Sequence, residues 1–175
     1  MHSKKLYGLK KHLLELIGLF DFNKLPKILM LSGKKGQGKF TLAHHLLSYI
    51  FDKKNYNLNI LEINESNMLF KNIKENDNQN IIYYNCTDKN VKIDDIRKLR
   101  VNLQKTSINN SNRFIIFDDV EHLNDNCINA LLKTIEEPSD ANYFILVNNQ
   151  SQNILDTLKS RSIEVMFFLN NSEKL

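Results

Sequence analysis

Short apolar runs alternate with longer amphipathic stretches along the chain. In the first stretch, residues 3–20, apolar positions recur at three- and four-residue intervals, which predicts an N-terminal amphipathic helix within residues 1–20. A short, largely apolar run then predicts a strand at 27–32. A second amphipathic stretch, at 41–50, predicts a helix that follows this strand after a glycine-rich turn.

The alternation resumes after residues 51–80, where Asn and Lys replace most apolar residues and predict a long, polar, partly mobile insertion. Strands are predicted at 81–84, 113–117, 143–147 and 163–168, and helices at 94–103, 124–136 (ended by Pro138) and 154–159. This order predicts an α/β fold, a five-stranded parallel sheet flanked by helices on both faces. Ligands bind such sheets at the carboxyl ends of the strands.

The turn after the first strand matches most of a phosphate-binding loop. Gly33, Gly38 and Lys39 fit the pattern in which backbone N–H groups cradle phosphates and the lysine contacts the terminal phosphates. Phe40 stands where a Ser or Thr hydroxyl would hold Mg²⁺, and phenylalanine cannot ligate a cation. Thr41 comes one residue later, which on a helix is about 100° away. We therefore expect that no cofactor is required and that ATP and Mg²⁺ bind weakly or not at all.

Paired carboxylates follow the apolar run at 113–117. In P-loop proteins the residue at the position of Asp118 binds Mg²⁺, and an acidic base often comes next. Asp119 is one methylene shorter than the usual Glu, so it reaches less far towards an attacking water. The alternative is that both carboxylates only cap the next helix. Glu121 and His122 are expected to be solvated residues where that helix begins.

Composition limits the functional classes further. A chain of 175 residues with 42% hydrophobic content suits one domain, and a net charge of +4 permits contact with nucleic acid without requiring it. Cys86 and Cys127 lie far apart without CxxC spacing, so we expect reduced structural thiols, no disulfide framework and no zinc. The sequence has neither a membrane-length apolar run nor a signal peptide, which predicts a cytoplasmic protein with no membrane partner.

In this order the motifs resemble the AAA+ clamp-loader family of bacterial DNA polymerase III, most closely its largely rigid, non-hydrolysing members. The resemblance covers nearly the whole chain and rests on the runs at 33–39, 93–99, 118–119, 129–138 and 160–161. It implies a P-loop NTPase-like AAA+ three-layer domain, the first domain of that family. It also implies an ATP-driven machine whose partners would be other clamp-loader subunits, the sliding clamp and, through the assembly, primed DNA.

The resemblance also assigns roles to individual positions. Arg161, in Ser160-Arg161-Ser162, matches the arginine that this family sends into the ATP site of the neighbouring subunit. Asp118 would be the metal ligand if Mg²⁺ binds, and Asp119 a weak catalytic base. Asn148 and Asn149 are alternatives for the sensor of the γ-phosphate. The nucleotide-contacting positions carried over are Gly33, Lys34, Lys35, Gly36, Gln37, Gly38, Lys39, Thr41, Asn148 and Asn149.

Residues 1–175 depart from the family in further ways. The cysteine-rich zinc module is missing from 51–80, and the chain stops after the fifth strand, so the lid and collar domains are expected to be absent. Two other functions compete with a clamp-loader subunit. One is a weakly active ATPase that uses Lys39, Asp118 and Asp119. The other is a nucleic-acid-binding domain in which Lys34 and Lys35 attract phosphates.

Overall fold

The computed structural model describes residues 3–69, 80–87, 91–104, 111–136 and 141–168. Its elements alternate between helix and strand as the sequence predicts, except for an added hairpin at 56–63. The helices are α1 (Lys10–Asp21), α2 (Lys39–Phe51), α3 (Ile93–Gln104), α4 (Asp125–Ile135) and α5 (Asp156–Lys159). The strands are β1 (Ile28–Ser32), β2 (Tyr56–Asn57), β3 (Glu62–Ile63), β4 (Ile81–Asn85), β5 (Arg113–Asp118), β6 (Asn142–Asn148) and β7 (Ile163–Met166).

Five of the strands form one parallel sheet in the order β4-β5-β6-β1-β7, which confirms the predicted α/β fold. The register brings the carboxyl ends of these strands together. Ser32 at the end of β1 lies between Asn148 of β6 and Met166 of β7. Asp118, which ends β5, pairs with Asn85 of β4. The polar residues singled out in the sequence therefore meet at one edge of the sheet.

Helices cover both faces of the sheet because the buried strands alternate their side chains between two apolar layers. Phe114 of β5 packs with α1 and α2 on one face. Phe117, three residues further along the strand, packs with α3 and α4 on the other. Both phenylalanines are fully buried. Central strand β6 is buried along its whole length, including the asparagines at its two ends, and its apolar run at 143–147 predicts that burial for the residues between them.

The N-terminal helix begins later than predicted. Residues 3–9 are not helical, and α1 starts only at Lys10. Gly8 has a φ of 68°, a left-handed conformation that ends any helix from residue 3. The segment before it instead pairs with β3, where the amide of Leu6 donates to the carbonyl of Leu61. These backbone partners come from distant sequence, so the apolar spacing gave no sign of them.

The polar insertion is more ordered than predicted over 53–69. A 3₁₀ turn at Lys53–Asn55 leads into β2 and β3, which pair as an antiparallel hairpin. Leu61, Ile63 and Leu69 are buried in the same core as α1 and α2. Asparagine side chains stabilise the turns, since Asn67 donates to the carbonyls of Ser48 and Asp52 at 3.2 Å each. Residues 70–79 of the predicted insertion lie outside the described residues.

Several other predicted boundaries shift by one or two residues. Helix α5 is a single turn, Asp156–Lys159, and β7 ends at Met166 rather than at residue 168. Pro138, predicted to end α4, lies outside the described residues, and the helix itself ends at Ile135. Cys86 and Cys127 are both buried free thiols, as predicted. Among the described residues, no helix has the length and apolar character needed to cross a membrane.

The side chain of Asn124 caps α4 by accepting a hydrogen bond from the amide of Cys127 at 2.9 Å. Asn124→Ala is expected to lower the free energy of unfolding by about 1 kcal/mol, because this amide loses its partner. Urea denaturation followed by circular dichroism measures the change. Asn126→Ala, an exposed position in the first turn of the same helix, is the matched control. An equal loss of stability in both variants would contradict the capping role.

Candidate functional site

The glycine-rich loop joins β1 to α2 at the carboxyl edge of the sheet. Gly38 begins α2 with a φ of 76°, a backbone conformation in which a side chain would be strained. Leu9 packs directly over it, since a Cβ at Gly38 would lie 3.1 Å from Leu9 Cδ1. The turn and the close packing explain why glycine is needed here. The loop leads directly into the N-terminus of α2, and helix N-termini attract anions.

Lys39 is buried beneath this loop. Its ammonium donates to the carbonyl oxygens of Gly33 and Lys34, both at 2.7 Å. Burial lowers the pKa of Lys39 from 10.5 to about 8, against the attraction of three nearby carboxylates. The side chain is therefore still charged at neutral pH. Contact of Lys39 with a phosphate stays a prediction.

The remaining loop residues divide into two groups. Lys34, Lys35 and Gly36 are exposed to solvent. Gln37 instead folds back over Gly33, where its Oε1 is buried without a hydrogen-bond partner among the described residues. The loop is thus covered on its inner side by its own glutamine.

Phe40 takes the place of the metal-binding hydroxyl and packs against the sheet. Its ring makes an edge-to-face contact with Tyr83 of β4, with 5.5 Å between the ring centroids. The hydroxyl of Tyr83 in turn donates to Asp118 Oδ2 at 2.9 Å. Burial, together with the Asp118 carboxylate, raises the pKa of Tyr83 far above its ordinary value. Thr41 lies half-buried in the first turn of α2.

Asp119 follows β5 in a left-handed conformation, with a φ of 56°. Its Oδ1 accepts a short hydrogen bond from the side-chain amide of Asn149. Asn148 is directed towards the phosphate loop instead, because its side chain donates to Ser32 Oγ at 3.2 Å. The two asparagines therefore lie on opposite sides of the end of β6, one beside the loop strand and one beside the predicted base.

Glu121 is not the solvated residue that the sequence predicted. It is 4% exposed, and its carboxylate accepts hydrogen bonds from the amides of Asn149 and Ser151 and from the Ser151 hydroxyl, at 2.8 to 3.3 Å. A buried carboxylate needs several donors of this kind. Glu121 thereby fixes the turn that follows β6. Sequence reasoning missed it because backbone donors leave no trace in the side-chain pattern.

Acidic and imidazole ligand atoms of Asp119, Glu121 and His122 lie within 4.8 Å of one another, a spacing that a metal ion could use. These groups already bind to the turn after β6. The ring nitrogens of His122 lie 3.1 Å from Ser151 Oγ and 3.2 Å from Gln152 Nε2. The cluster is thus accounted for as a hydrogen-bonded support of this turn.

The residues fit one half of a magnesium nucleotide and not the other. The glycine-rich loop leads into the N-terminus of α2 and Lys39 lies beneath it, which are the elements that P-loop proteins use to bind phosphate. Mg²⁺ needs oxygen ligands in near-octahedral geometry. Phe40 supplies none, and Asp118 accepts a hydrogen bond from Tyr83. The metal half of the site therefore does not fit the ion.

Arg161 lies near the amino ends of the strands, whereas the phosphate loop lies at their carboxyl ends. It comes two residues before Ile163, which pairs with Leu29 near the start of β1, whereas the phosphate loop follows the end of β1. Its guanidinium donates to the carbonyl oxygen of Thr157 and to Glu136 Oε1, each at 3.1 Å. Both charged side chains of this ion pair are substantially exposed. Arg161 and the loop of its own chain are therefore separated by the length of β1.

The family model and the curated relatives both support the family that the sequence resembles. The family model described as "DNA polymerase III, delta subunit" matches residues 9–170. DNA polymerase III subunit delta' of Buchnera aphidicola subsp. Schizaphis graminum is 27% identical over 149 residues, which are 84% of this chain and 44% of that protein. The delta' subunit of Bacillus subtilis is 25% identical over 159 residues, 90% of this chain and 47% of that protein. The chain thus spans less than half the length of these relatives.

Solved structures place the fold among AAA+ P-loop proteins. A DNA polymerase III gamma subunit-related protein of Thermotoga maritima superimposes with a TM-score of 0.63 at 19% identity, covering 90% of this chain and 47% of that one. The RuvB Holliday junction branch migration motor of Thermotoga maritima gives a TM-score of 0.59 at 22% identity, covering 98% of this chain and 50% of that one. With the family model matching most of its length, the chain belongs to the DNA polymerase III delta subunit family.

Proposed function

We propose that this chain acts in the cytoplasm as a clamp-loader subunit of DNA polymerase III that does not hydrolyse ATP and offers Arg161 to the ATP site of a neighbouring subunit. Its partners are other clamp-loader subunits, the sliding clamp and, through the assembly, primed DNA. The observation that carries the proposal is the separation of Arg161 from the phosphate loop of its own chain. An arginine near the amino ends of the strands can contact phosphate only across an interface.

The surroundings of Arg161 suit a side chain that changes partners. An ion pair exposed to this extent contributes only about 0–1 kcal/mol, so the pair with Glu136 is readily exchanged. A guanidinium keeps its charge at any physiological pH and matches two phosphate oxygens at once. Binding a neighbour's γ-phosphate would therefore outweigh what is lost at Glu136.

The phosphate loop of the chain itself argues against turnover. Phe40 supplies no metal ligand, and the residues at the two carboxylate positions both accept hydrogen bonds from neighbouring side chains. Asp119, bound to Asn149, would have to leave that partner before it could activate a water. Loss of the metal and of the base at once favours a structural subunit over a weak ATPase.

Reconstitution tests the assembly role. The chain is co-expressed with the DNA polymerase III gamma and delta subunits of the same organism and purified through a tag on the gamma subunit. We expect the chain to co-purify and to raise the ATPase rate of the assembly on primed DNA with the sliding clamp. Failure to associate with either subunit would overturn the proposal.

The isolated chain should show no benefit from magnesium when it is titrated with ATP. Calorimetry in Mg²⁺ and in EDTA is expected to give the same affinity, because the residues that would hold the ion do not fit it. A single-turnover assay on the same preparation should detect no hydrolysis. Tighter binding in Mg²⁺ together with hydrolysis that is lost in Asp118→Asn would favour the weak ATPase instead.

A further inference from the structure

A tyrosine that sequence reasoning treated as part of a strand reaches the metal-ligand position of the site. Tyr83 is 7% exposed, yet its hydroxyl donates to Asp118 Oδ2 at 2.9 Å. The ring of Phe40 stands edge-to-face against it. Phe40, which replaces the metal-binding hydroxyl, therefore contacts Tyr83. Tyr83 in turn hydrogen-bonds to Asp118, the carboxylate expected to bind the metal.

The register between β4 and β5 accounts for this arrangement. Tyr83 pairs with Ile116, and Asp118 lies two residues further along β5 on the same face of the sheet. A phenol is long enough to extend along the strands over that distance. Phe40, in the first turn of α2, packs against this same face of the sheet.

We propose that the Tyr83 hydroxyl occupies the side of Asp118 that a magnesium ion would need, and that Phe40 packs the phenol into that position, so that two residues together exclude the ion. This inference rests on the proposed function, since it explains why the chain does not hydrolyse ATP. It goes beyond the missing hydroxyl at Phe40, because restoring that hydroxyl alone would leave Asp118 bound to Tyr83.

The chemistry of the ion supports a two-residue block. Mg²⁺ gives up its waters reluctantly and accepts a protein ligand only in near-octahedral geometry. A hydroxyl that donates to Asp118 presents its positive hydrogen where the cation or its water would bind. A hydrogen bond to a charged group is also among the stronger ones in proteins. The ion must therefore displace the phenol as well as find a replacement for the missing ligand.

Four purified chains test the inference by titration with ATP in Mg²⁺ and in EDTA: wild type, Phe40→Thr, Tyr83→Phe and the double variant. The preference for Mg²⁺ over EDTA is expected to be absent in wild type, small in each single variant and at least about tenfold in the double variant. Phe40→Thr combined with Tyr84→Phe is the matched control. Tyr84 neighbours Tyr83 on β4 but stacks on Phe117 on the other face of the sheet, so this pair should behave like Phe40→Thr alone.

The outcomes separate this inference from the function on which it rests. A magnesium preference in the wild type would overturn both. A preference in Phe40→Thr equal to that of the double variant, or none in a folded double variant, would overturn the inference alone. Melting curves show which variants fold. If the double variant does not fold, titration with Mn²⁺ followed by electron paramagnetic resonance decides. Tyr83→Phe is expected to bind Mn²⁺ more tightly than wild type. Equal binding in the two chains would overturn the inference.

Discussion

Replacing Arg161 by alanine is expected to slow ATP hydrolysis at the neighbouring subunit's site by about 10³-fold, the lower end of the effect of an arginine supplied in trans to a phosphoryl-transfer site. The charge that develops on the phosphoryl oxygens would lose its guanidinium partner. Folding should be unaffected, because the side chain is exposed and its ion pair with Glu136 contributes little. A loss of activity without a loss of stability is the signature of this role.

Single-turnover hydrolysis in the reconstituted assembly measures the effect on the one site that Arg161 completes. Lys159→Ala is the matched control, since it removes a positive charge from the last residue of α5, two positions before Arg161. It should leave the rate unchanged. Equal rates for wild type and Arg161→Ala in a fully assembled complex would contradict the role in trans. A fall in both variants would indicate a general effect of surface charge instead.

Glu136→Gln refines the interpretation of that experiment. The variant removes the ion pair of Arg161 but keeps the donation of the guanidinium to the carbonyl of Thr157. If the guanidinium moves to a phosphate during turnover, loss of Glu136 should leave the rate close to that of wild type. The rate would then depend on Arg161 but not on Glu136, whereas a purely structural role of the ion pair would make it depend on both residues.

The strands could be predicted from the sequence because burial on both faces leaves a continuous apolar run, as in β5 and β6. The placement of the glycine-rich loop after β1 and of the paired carboxylates at the end of β5 could be predicted as well, since such motifs follow strand ends at fixed spacing. The start of α1 could not. Apolar spacing extends back to Leu6, but Gly8 and a backbone partner at Leu61 override it.

The residues that sequence reasoning missed at the site share one property, which is that their partners lie on a neighbouring strand or in the turn that follows one. Tyr83 looks like any aromatic in a buried strand, and only the pairing of β4 with β5 brings its hydroxyl to Asp118. Glu121 looks like an exposed carboxylate, and only the turn after β6 supplies its amide donors. Composition and periodicity carry no information on either pairing.

Acidification is expected to destabilise the chain by about 3 kcal/mol between pH 6.5 and pH 4 through His45 alone. His45 is fully buried in α2, where its Nδ1 lies 2.8 Å from the Tyr56 hydroxyl and its Nε2 lies 3.2 Å from the Ser3 carbonyl oxygen. Burial lowers the pKa of His45 from 6.5 to about 4. The pKa of its buried neighbour His44 is also lowered by burial, which adds to the effect.

The sign follows from where the proton binds. Above pH 6.5 His45 is neutral in both states, so the full stability is present. As the pH falls below 6.5, the unfolded chain takes up a proton that the folded chain refuses, and the free energy of unfolding decreases until about pH 4. His45→Gln should flatten this dependence, while His122→Gln, at a half-buried position, is the control for loss of an imidazole. Urea denaturation at several pH values gives both curves.

Carboxylates titrate in the lower part of this range, so the difference between wild type and His45→Gln isolates the histidine. Equal slopes for the two proteins would contradict the prediction. The loss should also begin locally, because His45 joins α2 to β2 and to the N-terminal segment. That segment is bonded to β3 through the amides of Leu6 and Ile63. Their protection factors in hydrogen exchange should therefore fall at a higher pH than that of Phe114 in the sheet.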